Sequence, residues 1–179
     1  MNRLRRTLIF SFAAALVGCT TFSGPQETPL LRHKTGKLLA RDSSAPSRRF
    51  AAGFRLDSTA DGLKLDFLGP LNTTLARLET GTTGATFRQP GHEPLTGENA
   101  EALMEKTLGF SVPLTAVVDW TEGNPNRDLP YHPIDSNAFE QLGWTVRVLD
   151  REANGSARKL SFTKDTLALV VVLDPRAGQ

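Results

Sequence analysis

The chain has 179 residues, 39% of them hydrophobic and 22% charged, which suits a single globular domain with a core of its own. The chain has 21 basic and 19 acidic residues, and the arginines at positions 3, 5 and 6 account for the basic excess. The rest of the chain is therefore near neutral. It lacks the excess of positive charge that is typical of a nucleic-acid-binding protein. The single cysteine, Cys19, excludes an intrachain disulfide.

Residues 1–18 have the organisation of a secretory signal peptide. A basic head ends at Arg6, and an uncharged, mostly apolar run follows over residues 7–17. That run is shorter than the ~20 residues that a transmembrane helix needs. It leads into Leu16-Val17-Gly18-Cys19, which resembles the bacterial lipobox. The resemblance implies cleavage before Cys19 and lipid attachment at its thiol and new amino terminus; the alternative is an exported protein whose cysteine is unmodified.

This organisation predicts three parts of the chain. Residues 1–18 are a cleaved signal peptide, residues 19–34 are a lipidated cysteine with its tether, and residues 35–175 are the folded domain. Residues 20–29 are polar and contain glycine and proline, which is typical of a flexible tether. Residues 30–34 favour a short helix.

The first half of the domain has the pattern of short β-strands. Leu63, Leu65 and Phe67 alternate with polar residues, so one face of that segment is apolar. Strands are predicted over residues 37–41, 48–57, 63–67, 73–79 and 85–88, with turn residues between them. Evenly spaced strands of this kind predict an antiparallel meander that curls toward a barrel or a sandwich.

Two helices are then predicted, because the apolar period changes. Residues 98–108 place Ala100, Leu103, Met104 and Leu108 on one face, with Thr96 as N-cap and Gly109 at the end. The second helix starts near Pro113 with Ser111 as its cap. Its apolar residues are Leu114, Val117, Val118 and Trp120. Both apolar faces are expected to cover the open side of the curved sheet, around either a solid core or an apolar cavity.

The last third of the chain returns to strands. Residues 124–136 contain three prolines and are predicted to be a loop, and residues 139–149 a strand in which Trp144, Val146 and Val148 alternate. Asn154-Gly155 is a hairpin signal. Two closing strands are predicted over residues 159–163 and 166–173, and the last is apolar on both faces.

Residues with catalytic or metal-binding chemistry are sparse. His33, His92 and His132 lie far apart in polar contexts and are interpreted as solvated loop residues. The sequence has neither a zinc-binding histidine pair nor a nucleophile elbow. We therefore expect no enzyme activity, no metal and no cofactor; a periplasmic hydrolase is the least favoured alternative.

One turn is unusual because it has a large apolar residue at its centre. Gly69-Pro70-Leu71-Asn72 separates two alternating segments, and most turn tips are polar. Leu71 is therefore either packed against the domain or exposed to meet an apolar partner.

Several motifs in this order resemble the outer-membrane lipoprotein receptor LolB family. The similarity covers residues 35–173. The matching segments are Gly36-Lys37, Leu68-Gly69-Pro70-Leu71, Asn99-Ala100-Glu101-Ala102-Leu103-Met104, Pro113-Leu114, Trp120-Thr121-Glu122-Gly123-Asn124-Pro125 and Phe139-Glu140-Gln141-Leu142-Gly143-Trp144-Thr145-Val146. In the family the turn glycine stands where this chain has Asn72.

The resemblance implies a mainly β fold with α-helices, an unclosed antiparallel β-barrel covered by a helical lid with an apolar cavity inside. It implies a monomer without enzyme activity that takes lipoproteins from the periplasmic carrier LolA by binding their acyl chains. The cargo then passes into the inner leaflet of the outer membrane. Leu71, with Pro70, corresponds to the membrane-insertion loop, and Thr20 after Cys19 favours an outer-membrane location.

We expect the cavity and its lid to be formed by apolar residues of the strands and helices predicted above. These residues are Phe54, Leu56, Leu63, Leu65, Phe67, Leu75, Leu103, Met104, Leu108, Leu114, Val117, Val118, Trp120, Trp144 and Val146. The alternative is a structural envelope lipoprotein with a solid core and no lipid cavity. The two differ in whether the space between sheet and helices accepts a ligand.

Overall fold

The computed structural model describes residues 29–45 and 49–175, so the predicted signal peptide and Cys19 lie outside the described residues. The described chain forms one eleven-stranded sheet, and two helices lie between its sixth and seventh strands in the sequence. The strands are β1 Leu30–Asp42, β2 Arg49–Thr59, β3 Leu63–Leu68, β4 Thr74–Gly81, β5 Gly84–Arg88, β6 Leu95–Gly97, β7 Tyr131–Asp135, β8 Ala138–Gln141, β9 Trp144–Arg151, β10 Ala157–Lys164 and β11 Leu167–Leu173.

The sheet is antiparallel and unclosed. Its strand order is β6-β5-β4-β3-β2-β1-β11-β10-β9-β8-β7, which leaves β6 and β7 as its two edges. The first and last strands pair at the centre, where Gly36 lies opposite Phe54 of β2 and Leu173 of β11. The predicted mainly β half-barrel is thereby confirmed.

One face of the sheet forms the core. Phe54 and Leu56 of β2 and Leu65 and Phe67 of β3 are buried, because alternate side chains of a strand point to the same face. Val171 continues this buried face on β11, on the other side of β1. The inner face therefore extends from one half of the sheet to the other.

Helices α1 (Ala100–Leu108) and α2 (Leu114–Trp120) cover this inner face. α1 packs against β4, β5 and β6. In α2, the ring of Trp120 lies 6.2 Å from that of Trp144 in β9 and 5.6 Å from that of Phe162 in β10. The two helices therefore contact opposite halves of the sheet, which curves around them.

The capping residues at the helix starts differ from those predicted. Asn99 is the N-cap of α1, and its side-chain Oδ1 accepts a 2.9 Å hydrogen bond from the amide of Ala102, whereas Thr96 lies in β6. The start of α2 has no capping side chain of its own. Ser111, the predicted cap, does not fill this role. The side chain of Glu101 in α1 instead accepts a 3.1 Å hydrogen bond from the Leu114 amide. The end of α1 at Gly109, with φ 77°, and the start of α2 next to Pro113 are as predicted.

Three strand predictions need correction. Residues 30–34 belong to β1 rather than to a helix or to the tether, because they pair with the end of β2. The segment predicted as one strand over residues 139–149 is a hairpin, since Leu142 and Gly143 both have positive φ values of 54° and 76°. Residues 131–135 form β7 despite Pro133, which an edge strand tolerates. The other predicted strands are confirmed.

Candidate functional site

An apolar cavity of about 40 Å³ lies between the sheet and the helical segment. Its lining comes from both halves of the sheet, from both helices and from the residues that join them. The lining residues are Leu38, Phe54, Leu56, Leu65, Phe67, Met104, Phe110, Val112, Val117, Thr121, Phe162, Leu169 and Val171. All but Thr121 are apolar, and the Thr121 hydroxyl donates a 2.7 Å hydrogen bond to the carbonyl of Val118. Such a lining can hold hydrocarbon and offers no group for bond-breaking chemistry.

Some of the predicted cavity residues meet at this cavity and others do not. Those that line it are Phe54, Leu56, Leu65, Phe67, Met104 and Val117. Those in the surrounding core are Leu63, Leu103, Leu108, Leu114, Val118, Trp120, Trp144 and Val146. Leu75 needs correction: it sits at the irregular pairing of β4 with β3, is 44% exposed and packs over Gly69 on the outside of the barrel.

The remaining lining residues were missed by the sequence interpretation. Phe110 and Val112 lie in the short link between the helices, which has no repeating pattern. Leu169 and Val171 lie on β11, whose apolar run does not reveal which face points inward. Phe162 of β10 had a usable signal, because Leu160 and Phe162 alternate with polar residues.

Two ion pairs join β1 to the region of α2. Arg32 pairs with Asp119, and the Lys34 ammonium lies 2.8 Å from a carboxylate oxygen of Glu122. Lys34 has only 11% of its side chain exposed. These pairs hold the C-terminal end of α2 and the residues after it against β1, the strand at the centre of the sheet.

A buried amide joins the same end of α2 to β8. Oε1 of Gln141 accepts hydrogen bonds from the Trp120 indole at 2.8 Å and from the Asn126 amide at 2.9 Å. Its Nε2 donates to the carbonyls of Asn126 and Leu129 at 2.8 and 3.1 Å. Because both ends of the amide are satisfied, this buried polar group fixes the loop after α2 to β8.

The Leu71 turn projects from the molecule. Leu71 is 97% exposed and has left-handed backbone angles, φ 58° and ψ 26°. Asn72 also has φ 58°, a conformation that asparagine tolerates better than most residues other than glycine. The Gly69 amide donates to the Thr73 carbonyl at 2.8 Å, and the Thr73 hydroxyl to the Pro70 carbonyl at 3.0 Å. The turn therefore presents Leu71 to solvent on a backbone held by its own hydrogen bonds.

The ionisable groups near the site are structural. Arg77 holds the buried carboxylate of Asp66 with contacts of 2.5 and 3.0 Å on the outer face, and that hydrogen bonding raises the pKa of Arg77. His33 lies on β1 and contacts Asp57, and His132 lies on β7, so the interpretation of these two as loop residues is wrong. Across residues 29–45 and 49–175, no group of three or more His, Cys, Asp or Glu could hold a metal ion.

Comparison with known proteins then identifies the family. A family model described as "Outer membrane lipoprotein LolB" matches residues 34–174. The chain belongs to the LolB family. LolB proteins named "Outer-membrane lipoprotein LolB" include one from Cupriavidus necator, 28% identical over 98% of this chain and 99% of that protein, and one from Cupriavidus taiwanensis, 31% identical over the same shares. The resemblance stated above is confirmed, and with it the assignment to outer-membrane lipoproteins.

A solved LolA superfamily protein from Nitrosomonas europaea overlaps this chain with a TM-score of 0.44 and 10% identity, over 85% of this chain and 86% of that one. In the described part of this LolB family member, no helix is both long enough and apolar enough to cross a membrane.

Proposed function

We propose that the protein is an acceptor in the outer membrane that takes lipoproteins from a LolA-type periplasmic carrier. It binds their acyl chains in the cavity between sheet and helices and passes them to the inner leaflet of the outer membrane. The observation that carries this proposal is the cavity's lining, in which every residue except Thr121 is apolar. The LolB family membership supports the same role.

The cavity volume implies that binding requires movement. Ligand sites are commonly about 300–1,000 Å³ in size, whereas this cavity holds about 40 Å³. An acyl chain therefore enters only when α2 or the link before it moves away from the sheet. The two ion pairs from β1 and the Gln141 amide are the contacts that resist this movement.

Burial of hydrocarbon drives the transfer without a nucleotide. Each methylene group contributes about 0.8 kcal/mol when it leaves water. A cavity that encloses acyl chains incompletely binds them less strongly than a bilayer, which encloses them fully. If the carrier binds acyl chains less strongly than this cavity does, the free energy of the cargo decreases at each step from carrier to cavity to membrane.

Membrane attachment and insertion are assigned to separate residues. Cys19 is proposed as the lipidated residue that holds the protein on the periplasmic face of the outer membrane. Leu71, at the tip of its turn, is proposed to enter the acyl region of the bilayer during release of the cargo. Its 97% exposure supports this role, because a leucine with no intramolecular packing gains free energy in an apolar partner.

The proposal is tested by transfer of a labelled lipoprotein. The carrier loaded with cargo is mixed with vesicles that contain the lipid-anchored protein, and cargo in the vesicles is measured over time. Faster transfer than into vesicles without the protein is expected. An unchanged rate, together with no acyl chain bound to the purified protein, would favour the scaffold with a solid core.

A further inference from the structure

The outer face of the sheet carries a basic and aliphatic surface. Val172 of β11 lies opposite Lys37 of β1 and Lys159 of β10, and Val170 lies opposite Leu39 in the next outward row. We define these five residues as the outer patch. They alternate with the residues that line the cavity, so their side chains point away from it.

The patch and its margin have uncompensated positive charge. Lys37 and Lys159 are exposed, as are Arg41 and Arg49, which lie opposite each other one row beyond Leu39. Within residues 29–45 and 49–175, none of these four cations forms an ion pair. This surface is therefore complementary to an anionic partner.

The acidic residues of this face do not neutralise the patch. Asp66 is fully buried and is held by Arg77 at 2.5 Å, with Arg55 at 3.8 Å. Asp150 lies opposite Lys159 in the pairing of β9 with β10, and its carboxylate is 3.6 Å from Arg158. Asp174, at the end of β11, is the acidic residue that lines the adjoining groove. The four cations Lys37, Lys159, Arg41 and Arg49 thus outnumber the two exposed acidic residues, Asp150 and Asp174.

An open groove joins the outer patch to the Leu71 turn. It has a volume of about 920 Å³ and extends from Lys159 to Pro70 and Asn72. Small residues, Ala51 and Gly53, lie on β2 between the patch and the turn. Because the turn is held by its own hydrogen bonds, the fold fixes Leu71 relative to the lysines.

We propose that the outer patch docks on the surface of an anionic phospholipid bilayer, with Lys37 and Lys159 at the lipid phosphates and Leu71 in the acyl region. The proposal rests on the insertion role assigned to Leu71 above. A single leucine attaches a protein to a membrane only weakly, and basic side chains near the surface add attraction to anionic lipid. The patch also sets the orientation in which the turn meets the membrane.

The composition of the patch favours a bilayer over a protein partner. The two rows of outward side chains contain lysine, leucine, valine and one serine, Ser161, with no aromatic residue. Protein interfaces are enriched in aromatic residues and depleted in lysine. Lysine next to aliphatic side chains is instead typical of surfaces that contact lipid headgroups.

Vesicle flotation tests the proposal with the processed chain, residues 19–179, carrying Cys19→Ser so that no acyl chain holds it. We expect it to bind vesicles of phosphatidylethanolamine with phosphatidylglycerol, and to bind less when phosphatidylcholine replaces the anionic lipid or when salt is raised. Lys37→Gln with Lys159→Gln lowers the partition coefficient by about tenfold or more at low salt.

The matched control is Lys106→Gln with Arg127→Gln, which removes the same charge from exposed positions away from the patch. The control is expected to bind as the parent chain does. Equal binding by the patch variant, or an equal loss in the control, overturns the proposal. It is also overturned if the patch variant loses binding to the carrier instead of to vesicles.

Two further measurements separate this proposal from the proposed function. Binding of a fluorescent fatty acid reports the cavity alone, and the patch variant is expected to retain it. Leu71→Glu tests insertion alone. If the two lysine substitutions also lower vesicle binding in a chain that carries Leu71→Glu, the outer patch binds the membrane independently of Leu71. That result supports the patch even if the insertion role of Leu71 fails.

Discussion

The indole Nε1 of Trp120 donates a 2.8 Å hydrogen bond to Oε1 of Gln141, both groups being buried. The bond joins the last residue of α2 to the last residue of β8, so it connects the lid directly to the sheet. The same amide also binds the loop that follows α2, through Asn126.

Replacing this amide is expected to destabilise the domain. Gln141→Leu leaves the buried Trp120 indole without a partner and removes the hydrogen bonds of the part-buried Asn126 peptide group, which costs about 2–4 kcal/mol in the free energy of unfolding. Urea unfolding followed by tryptophan fluorescence measures it. Glu140→Gln, on the exposed neighbour, is the control and should change stability by less than about 0.5 kcal/mol. A stable Gln141→Leu variant would show that the lid is held by apolar packing alone.

Replacing Leu71 separates insertion from binding. Leu71→Glu is expected to leave folding and acyl binding unchanged because the side chain is 97% exposed, but to impair delivery of cargo into vesicles. Leu142→Glu is a matched control, since Leu142 is also an exposed leucine in a turn with positive φ. If both variants deliver cargo like the parent chain, Leu71 has no role in insertion.

The backbone of the turn is tested at the next residue. Asn72 has φ 58°, so Asn72→Gly is expected to preserve the turn and the rate of delivery. Asn72→Val places a β-branched side chain in the same region, at a cost of about 1–2 kcal/mol, and should displace Leu71. Delivery into vesicles and urea unfolding are measured together. Equal delivery by both variants would mean that the presentation of Leu71 does not matter.

Two neighbouring residues of α1 distinguish the cavity from the core. Met104 lines the cavity, whereas Leu103 is buried but does not line it. Met104→Gln and Leu103→Gln are each expected to lower the free energy of unfolding by about 2–4 kcal/mol. Only Met104→Gln should also weaken fatty-acid binding to the folded fraction, measured by fluorescence titration. Equal weakening by both would place the ligand outside this cavity.

We expect the ion pairs to β1 to slow the opening of the lid. Arg32→Gln with Lys34→Gln removes both pairs, and because such partly exposed pairs contribute about 0–1 kcal/mol each, the domain should remain folded. Fatty acid should enter roughly threefold to tenfold faster in stopped-flow measurements. Arg147→Gln, which breaks a pair with Asp135 on another part of the sheet, is the control. An unchanged entry rate would mean that the lid opens elsewhere.

The sequence predicted those parts of the fold that a pattern of neighbouring residues encodes, such as alternating apolar residues in a strand. Leu63, Leu65 and Phe67 alternate in the sequence and are buried on one face. The hairpin at Leu142 was missed because a leucine with positive φ gives no turn signal. The turn is a two-residue hairpin in which Gly143 also has positive φ and Gln141 pairs directly with Trp144.

The cavity was predicted only in part because its lining depends on long-range pairing. Phe54 and Val171 line the same cavity from strands far apart in the sequence. They meet because β1 pairs with both β2 and β11, a relationship that no local pattern encodes. The outer patch was missed for the same reason, since Lys37 and Lys159 are brought together through β11.

The central claim is that acyl chains of cargo occupy the cavity during transfer, and Met104 allows a direct measurement of it. Met104 is the only methionine after residue 1, so photo-methionine places a light-activated group at a single position of the processed chain. Illumination during transfer from a loaded carrier is predicted to cross-link the cargo's acyl chain to residue 104, transiently and before cargo appears in the vesicles. Delivery of cargo with no cross-link at any time would contradict the account.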